Sequence, residues 1–323
     1  MQFWLGPRAR TRTEFILSLV ILAVIAALPL ALVNEYWHGV VIVSMYFAML
    51  AAGWNLLAGY TGQFSLAPAT FGMLGAYTTG LLSYYFGISP LIGIPAAVVV
   101  AGLIGLALGY TVLRLTGPYL ALTTLSFAEI ARLVISNSIE ITRGDLGLNV
   151  AGLFEDRIAY YYLMVAVLVG MQLGLYLLLS APAGYYLRAI RDDEIAAASR
   201  GVEIVRWKTN AFTISAAISG LAGALYAHFA QFVSPELGLL GQTGIIISMA
   251  VIGGMGTLVG PILGAFLVYV TSEYLRDFGG IQLIIFALLV IIFGRFFREG
   301  LWGLVYRAIE RAAGRPASTL PGA

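Results

Sequence analysis

The sequence predicts an all-α polytopic membrane protein of about ten transmembrane crossings, some of them short or broken. Three observations carry this. Of 323 residues, 60% are hydrophobic and only 11% charged, with a mean hydropathy of +0.91, whereas a soluble domain carries roughly 25% charged residues. Apolar runs of about 20 residues, enough to cross a ~30 Å hydrocarbon layer, recur along the chain. The runs are continuous rather than alternating in ten-residue units, so helices, not a barrel, satisfy the backbone in lipid.

In order, the predicted spans are 15–33, 40–58, 70–86, 90–113, 118–137, 158–180, 207–230, 258–276 and 281–297, with a tenth, short crossing at 243–256 in "TGIIISMAVIGGMG". Arg8, Arg10 and Arg12 precede the first run. It is longer than a signal-peptide core and further spans follow, so residues 14–33 read as a retained first span. Lys and Arg accumulate on the cytoplasmic side. The C-terminal tail holds Arg295, Arg298, Arg307, Arg311 and Arg315. Both termini are therefore expected inside, which requires an even number of crossings, and counting 243–256 gives ten. That count puts the polar loop 184–206 in the cytoplasm and 138–157 outside. Residues 298–323, with Trp302, Leu304, Tyr306 and Ile309 among arginines, read as an amphipathic cytoplasmic helix and tail. The whole chain, 1–323, is expected to be one integral membrane domain.

Two glycine-rich segments interrupt the helical pattern: "GYTGQFSLAPATFGMLGAY" at 59–77 and "IGGMGTLVGPILGAF" at 252–266. Each runs from a small-residue cluster through proline to LGAY or LGAF, which suggests an internal inverted repeat with broken helices along a solute path. Close helix packing is the alternative. It is the better reading for Gly72, Ala76, Gly260 and Gly264, and a break is the better one for Gly59, Gly62, Gly253, Gly254 and Gly256. With the uncharged polar residues Gln63, Ser65, Thr123, Thr124 and Ser248, these five glycines form the set of translocation-path candidates. The polar members equally fit interhelical hydrogen bonds.

Several functions are excluded or weakened. A net charge of +2 is too small to imply nucleic acid, and no cysteine and two histidines leave no metal cluster to build. The phosphate-binding pattern GxxxxGK[ST] would need glycine at Val202 and Trp207 ahead of Lys208 and Thr209, so the chain is expected to bind no ATP, no cofactor and no metal of its own, and to have no catalytic residue. Glu129 and Arg132 share a face of the fifth span at i,i+3. They either neutralise each other, near enough to the outer end of the span to snorkel, or serve a proton relay. Glu273, Arg276 and Asp277 fall at a span end, and His228 reads as a packing residue. An ion-coupled carrier acting alone therefore remains as a reading from another class.

Residues 188–208, "RAIRDDEIAAASRGVEIVRWK", hold nine of the 18 basic and 16 acidic side chains, including the single lysine. Residues 185–201 read as one short helix stopped at Gly201, with a small-residue stripe of Ile190, Glu194, Ala197 and Gly201. Such a knob suits another protein's groove. The alternative is a solvated loop helix with pairs such as Arg188–Asp192.

The chain resembles the LivM-type permease subunits of bacterial ABC importers for branched-chain amino acids. The resemblance is carried by 59–77, by "LTGPYLALTTLSFAEIARLVISN" with "TRGDLGL", by 188–227, by "VIGGMGTLVGPILGA" and by "EGLWGL" at 299–304. It implies that the cytoplasmic loop couples to an ATPase through Ala189, Arg191, Asp193, Glu194, Ala196, Ala197 and Gly201. Gly201 follows Glu194 by seven residues, where common importer loops have six. Also implied are a paralogous LivH-type permease, two cytosolic ATPases that use the ATP, a periplasmic amino-acid-binding protein, a bacterial inner-membrane location, and alternating access for leucine, isoleucine or valine. Urea, short amides or another polar solute are the alternative cargo within the family.

Overall fold

The computed structural model describes residues 7–31, 34–112 and 118–276, together with 288, 291, 300–303 and 306. Its helices in chain order are α1 (Pro7–Ala31), α2 (Glu35–Thr61), α3 (Pro68–Phe86), α4 (Pro90–Val112), α5 (Pro118–Asn137), the short α6 (Ile139–Thr142), α7 (Arg157–Ser180), α8 (Pro182–Asp192), α9 (Glu194–Ser199), α10 (Ile204–Ala230), α11 (Leu240–Gly253) and α12 (Gly260–Tyr274). Two short strands, β1 (Leu148–Asn149) and β2 (Phe232–Val233), pair antiparallel. Proline opens α1, α3, α4, α5 and α8, where its missing N–H costs nothing. The carboxamide of Asn34 and the carboxylate of Asp156 cap α2 and α7, accepting from Tyr36 N and Ile158 N at 2.9 Å each.

Among the described residues, six helices, α1, α2, α4, α5, α7 and α10, are long and apolar enough to cross a membrane. The predicted spans fall on these and on α3, α11 and α12 with ends shifted by a few residues. The segment expected to form a short crossing, 243–256, is largely the helix α11, whose 14 residues extend about 21 Å. The span expected at 281–297 lies outside the described residues, as does most of the C-terminal segment. The part of that segment that is described does not lie free on a surface. Trp302 is buried, and Gly300 is packed against the backbone of Gly254.

Side-chain contacts sort the helix ends onto two faces. On one, Arg188 of α8 reaches Thr11 of α1, and Arg191 reaches Gly59 near the end of α2. On the other, Tyr36 at the start of α2 donates to Glu273 at the end of α12, and Arg157 of α7 donates to the Glu35 carbonyl at 3.4 Å. The β1–β2 ribbon belongs to this second face, where Gly80 of α3 sits beside Val150 and Val233.

α2 is the axis of the bundle, buried along nearly its whole length. α10 packs on α3 and α4 through small residues. A Cβ on Gly223 would lie 1.8 Å from the Gly72 carbonyl oxygen, and one on Gly220 2.4 Å from Ala101 Cβ. Backbones can approach this closely only where side chains are absent, so the packing reading of Gly72 holds.

α2 and α10 resemble each other. Each is 27 residues long and ends in a left-handed residue, Gly62 (φ 72°) and Gln231 (φ 54°). A Gln-Phe pair, Gln63-Phe64 just after Gly62 and Gln231-Phe232 beginning at the left-handed residue itself, then leads to a proline that opens a helical turn, Pro68 or Pro235. The two helices run in opposite directions, since α2 ends on the face of α8 and α10 ends on the face of the ribbon.

Candidate coupling site

The polar segment between α7 and α10 is two helices, not the single one expected at 185–201. The chain turns a corner at Asp193, in extended backbone, because the Asp193 carboxylate caps α9 by accepting from Ile195 N at 2.9 Å and Ala196 N at 3.0 Å. α9 ends before Gly201, whose φ of 83° closes the helix as anticipated.

The corner re-aims the segment. Ile190 and Ala197, expected on an outward stripe with Glu194 and Gly201, are buried against the bundle. The outward tip is instead Ile195, 83% exposed, with Ala196, Ala198 and Ser199 beside it and Asp192, Asp193 and Arg200 around it. Glu194 turns sideways and pairs with Lys208, whose side chain is only 4% exposed at the start of α10. The single lysine thus anchors α9. Breaking a buried pair from one side strands the other charge. Because Glu194 is itself partly exposed, Glu194→Ala is expected to cost about 2 kcal/mol. The double variant Glu194→Ala, Lys208→Met should recover most of it, as read by thermal unfolding in detergent.

Two arginines of α8 bond back to the bundle, Arg188 half-buried and Arg191 still exposed. Arg188 donates to Thr11 Oγ1 at 3.0 Å, with its guanidinium 5.5 Å from the centre of the Tyr60 ring, rather than pairing with Asp192. Arg191 donates to the Gly59 carbonyl and lies over Gly62, where a Cβ would sit 3.6 Å from Arg191 Cα. The same guanidinium touches Gly256. Beneath it, the Asn55 carboxamide donates to the Thr257 carbonyl and accepts from Gly256 N, both at 2.8 Å. Glu14 of α1 accepts from Leu258 N at 3.1 Å, and Gln172 of α7 donates to the Leu258 carbonyl at 3.2 Å. Five elements, α1, α2, α7, α8 and the α11–α12 turn, therefore meet at one joint.

Both glycine-rich segments enter that joint. The chain breaks at each, as expected: α2 stops at Gly62, and α11 stops at Gly253, followed by Gly254 (φ 125°) and Gly256 (φ 74°). The same glycines also provide close contact. A Cβ on Gly59 would lie 2.5 Å from Gly256 N, and one on Gly253 1.8 Å from the Gly260 carbonyl oxygen. The polar path candidates separate into two groups. Gln63, Ser65 and Thr124 are buried together around the loop 62–67, with Trp54 Nε1 donating to the Ser65 carbonyl at 2.8 Å and Leu66 N donating to Thr124 Oγ1 at 3.0 Å. Thr123 and Ser248 lie at the surface and donate to carbonyls of their own helices, Tyr119 at 2.8 Å and Gly244 at 2.7 Å.

His228 is a hydrogen-bonded packing residue, with Thr79 Oγ1 and the Ala151 carbonyl each 2.7 Å from a ring nitrogen. No group of three or more metal-ligating side chains occurs among the described residues. Sequence reasoning passed over Asn55, Glu14 and Ile195, and noted Lys208 without foreseeing its pairing with Glu194. The first two carried a signal, being polar groups within apolar spans.

A family model for the permease component of branched-chain amino acid transport systems matches residues 36–293. The chain belongs to this permease family. It is 34% identical over 308 residues to the high-affinity branched-chain amino acid transport system permease protein LivM of Escherichia coli, covering 86% of this chain and 72% of that one. The probable LivM permease of Methanocaldococcus jannaschii is 26% identical over 265 residues, covering 69% and 76%. The E. coli LivH permease protein is 24% identical over 290 residues, covering 80% and 93%. No solved structure matches. The permease thus resembles both members of a paralogous pair, and LivM more closely.

Proposed function

We propose that this permease is the LivM-type membrane subunit of an ATP-driven importer that carries branched-chain amino acids across the bacterial inner membrane. Beside it stands a LivH-type sister permease. Two cytosolic ATPases supply the energy and a periplasmic binding protein supplies the cargo, while this chain binds no ATP. The observation that carries the reading is the polar segment α8–α9. It offers an exposed tip at Ile195, Ala196 and Gly201 for an ATPase, and Arg191 on its flank is fastened to the joint where both glycine-rich breaks meet. Movement at the tip is thereby delivered to α1, α2, α11 and α12 together. This is a two-state element that partner binding can bias.

The reading places the face of α8 in the cytoplasm, with both termini there and ten crossings in all. The sorting of helix ends onto two faces supports it. The opposed, similarly capped α2 and α10 support an inverted repeat that relates α2–α5 to α10 and the helices after it.

Reconstitution tests the proposal. Uptake of leucine into proteoliposomes holding both permeases and the ATPases should need ATP and the binding protein, and should vanish when the ATPases are omitted. Uptake by this chain alone on a proton or sodium gradient would contradict it. Selective uptake of urea or an amide would overturn the cargo.

A further inference from the structure

Of the six membrane-length helices, α5 is the least covered by the rest of the chain. Its inner face, Leu120, Thr124, Ala128 and Ile135, is buried. Its outer half is not uniformly apolar, as a lipid-facing surface would be. Ser126, Glu129, Arg132 and Ser136 wind across it in steps of three, three and four residues. Ser136 Oγ then donates to the Asp145 carboxylate, which continues the polar line to the face of the ribbon.

Glu129 and Arg132 form an ion pair, with Arg132 Nε donating to Glu129 Oε2 at 3.2 Å. The Glu129 side chain is 48% exposed. It stands eleven residues after Pro118 and eight before Asn137, so about 16 Å and 12 Å from the two helix ends. Among the described residues, it is the only exposed helical carboxylate more than two turns from either end of its helix. A carboxylate turned toward hydrocarbon at mid-helix costs about 2.5–3.5 kcal/mol, and so short a side chain cannot reach the interface from that depth. Pairing with Arg132 offsets part of that cost, and water or protein facing the pair removes the rest.

We infer that this face of α5 lines the aqueous passage between the permease and its sister subunit, and that the Glu129–Arg132 pair meets the two charged ends of a passing α-amino acid. The inference rests on the transport reading above. The guanidinium fork suits a carboxylate, and the Glu129 carboxylate accepts from an ammonium. As the zwitterion arrives, the pair exchanges its mutual contact for one contact of each sign, so no charge is left bare. The exchange is nearly even in energy. Weak holding of this kind suits a solute that must also leave. The aliphatic tail of the cargo takes no part, so the pair reads the backbone of the amino acid rather than its side chain.

Two experiments on the full reconstituted complex test this. The chain has no native cysteine, so Ser126→Cys introduces one thiol into it. A charged, membrane-impermeant thiol reagent should modify this chain, and leucine-loaded binding protein with ATP should slow the modification about threefold or more. Modification by a lipid-soluble maleimide alone would overturn the passage. In the second experiment, Glu129→Leu combined with Arg132→Leu removes both charges, which an ion pair of merely structural value tolerates. Assembly with the ATPases should persist while leucine uptake falls about tenfold or more, the scale of a lost charged hydrogen bond. Unchanged uptake by the assembled variant would overturn the role of the pair. Should it fail to assemble, Glu129→Gln, which keeps size and polarity, is read by the same ratio of uptake to assembly. Labelling needs no transport, so its failure is distinct from failure of the transport reading.

Discussion

Arg191→Ala is expected to cut ATP-driven uptake about tenfold or more while the ATPases still copurify with the permease. The side chain faces away from the exposed tip and donates to the Gly59 carbonyl, over Gly62 and against Gly256. A hydrogen bond from a charged donor contributes about 1.5–3 kcal/mol, and here it is the direct fastening between α8 and both glycine breaks. Without it, α8 can move and leave the joint behind. The docking surface, built around Ile195, is untouched. Hydrolysis should continue in the assembled variant, uncoupled from uptake. Loss of copurification in step with uptake would mean that Arg191 docks the ATPase instead.

Gly59→Ala is expected to damage the joint from its other side. The added Cβ would sit 2.5 Å from Gly256 N and 2.2 Å from Asn55 Oδ1. Neither can yield easily, because one is backbone and the other belongs to a carboxamide whose Oδ1 accepts from Gly256 N and whose Nδ2 donates to the Thr257 carbonyl. Overpacking of this kind costs about 1–3 kcal/mol, and it is relieved here only by parting α2 from the α11–α12 turn. A lower unfolding temperature in detergent and loss of uptake should appear together. Gly170→Ala and Gly174→Ala in α7 are the controls, since nothing lies within 4 Å of either new Cβ. Gly254→Leu should fail as well, because its φ of 125° suits glycine alone.

The spans were legible because lipid simplifies the reading: an apolar run of the right length has one satisfactory conformation. The short α11 was visible as an apolar run, and only the arginine count argued that it crosses. The polar segment was legible as a feature but not as a shape. Asp193 reads equally as a surface charge and as an N-cap, and only the cap choice breaks the helix and turns Ile190 and Ala197 inward. The glycines posed a choice between break and packing that has no single answer: Gly253 ends α11 and is in close contact at once, whereas Gly59, expected at a break, is still helical in the last turn of α2 and serves close contact alone. Asn55 and Glu14 could not be placed from sequence. Their partners, Gly256, Thr257 and Leu258, lie about 200 or more residues away, and no local spacing encodes such a pairing.

The most direct test is the sidedness of the α9 tip. Ile195→Cys gives one exposed thiol in a chain that otherwise has none. In sealed vesicles of known orientation, it should react only from the cytoplasmic side and be shielded when the ATPases bind. Reaction from the external side, or reaction indifferent to the ATPases, would contradict the coupling role of α8–α9 and the orientation built on it.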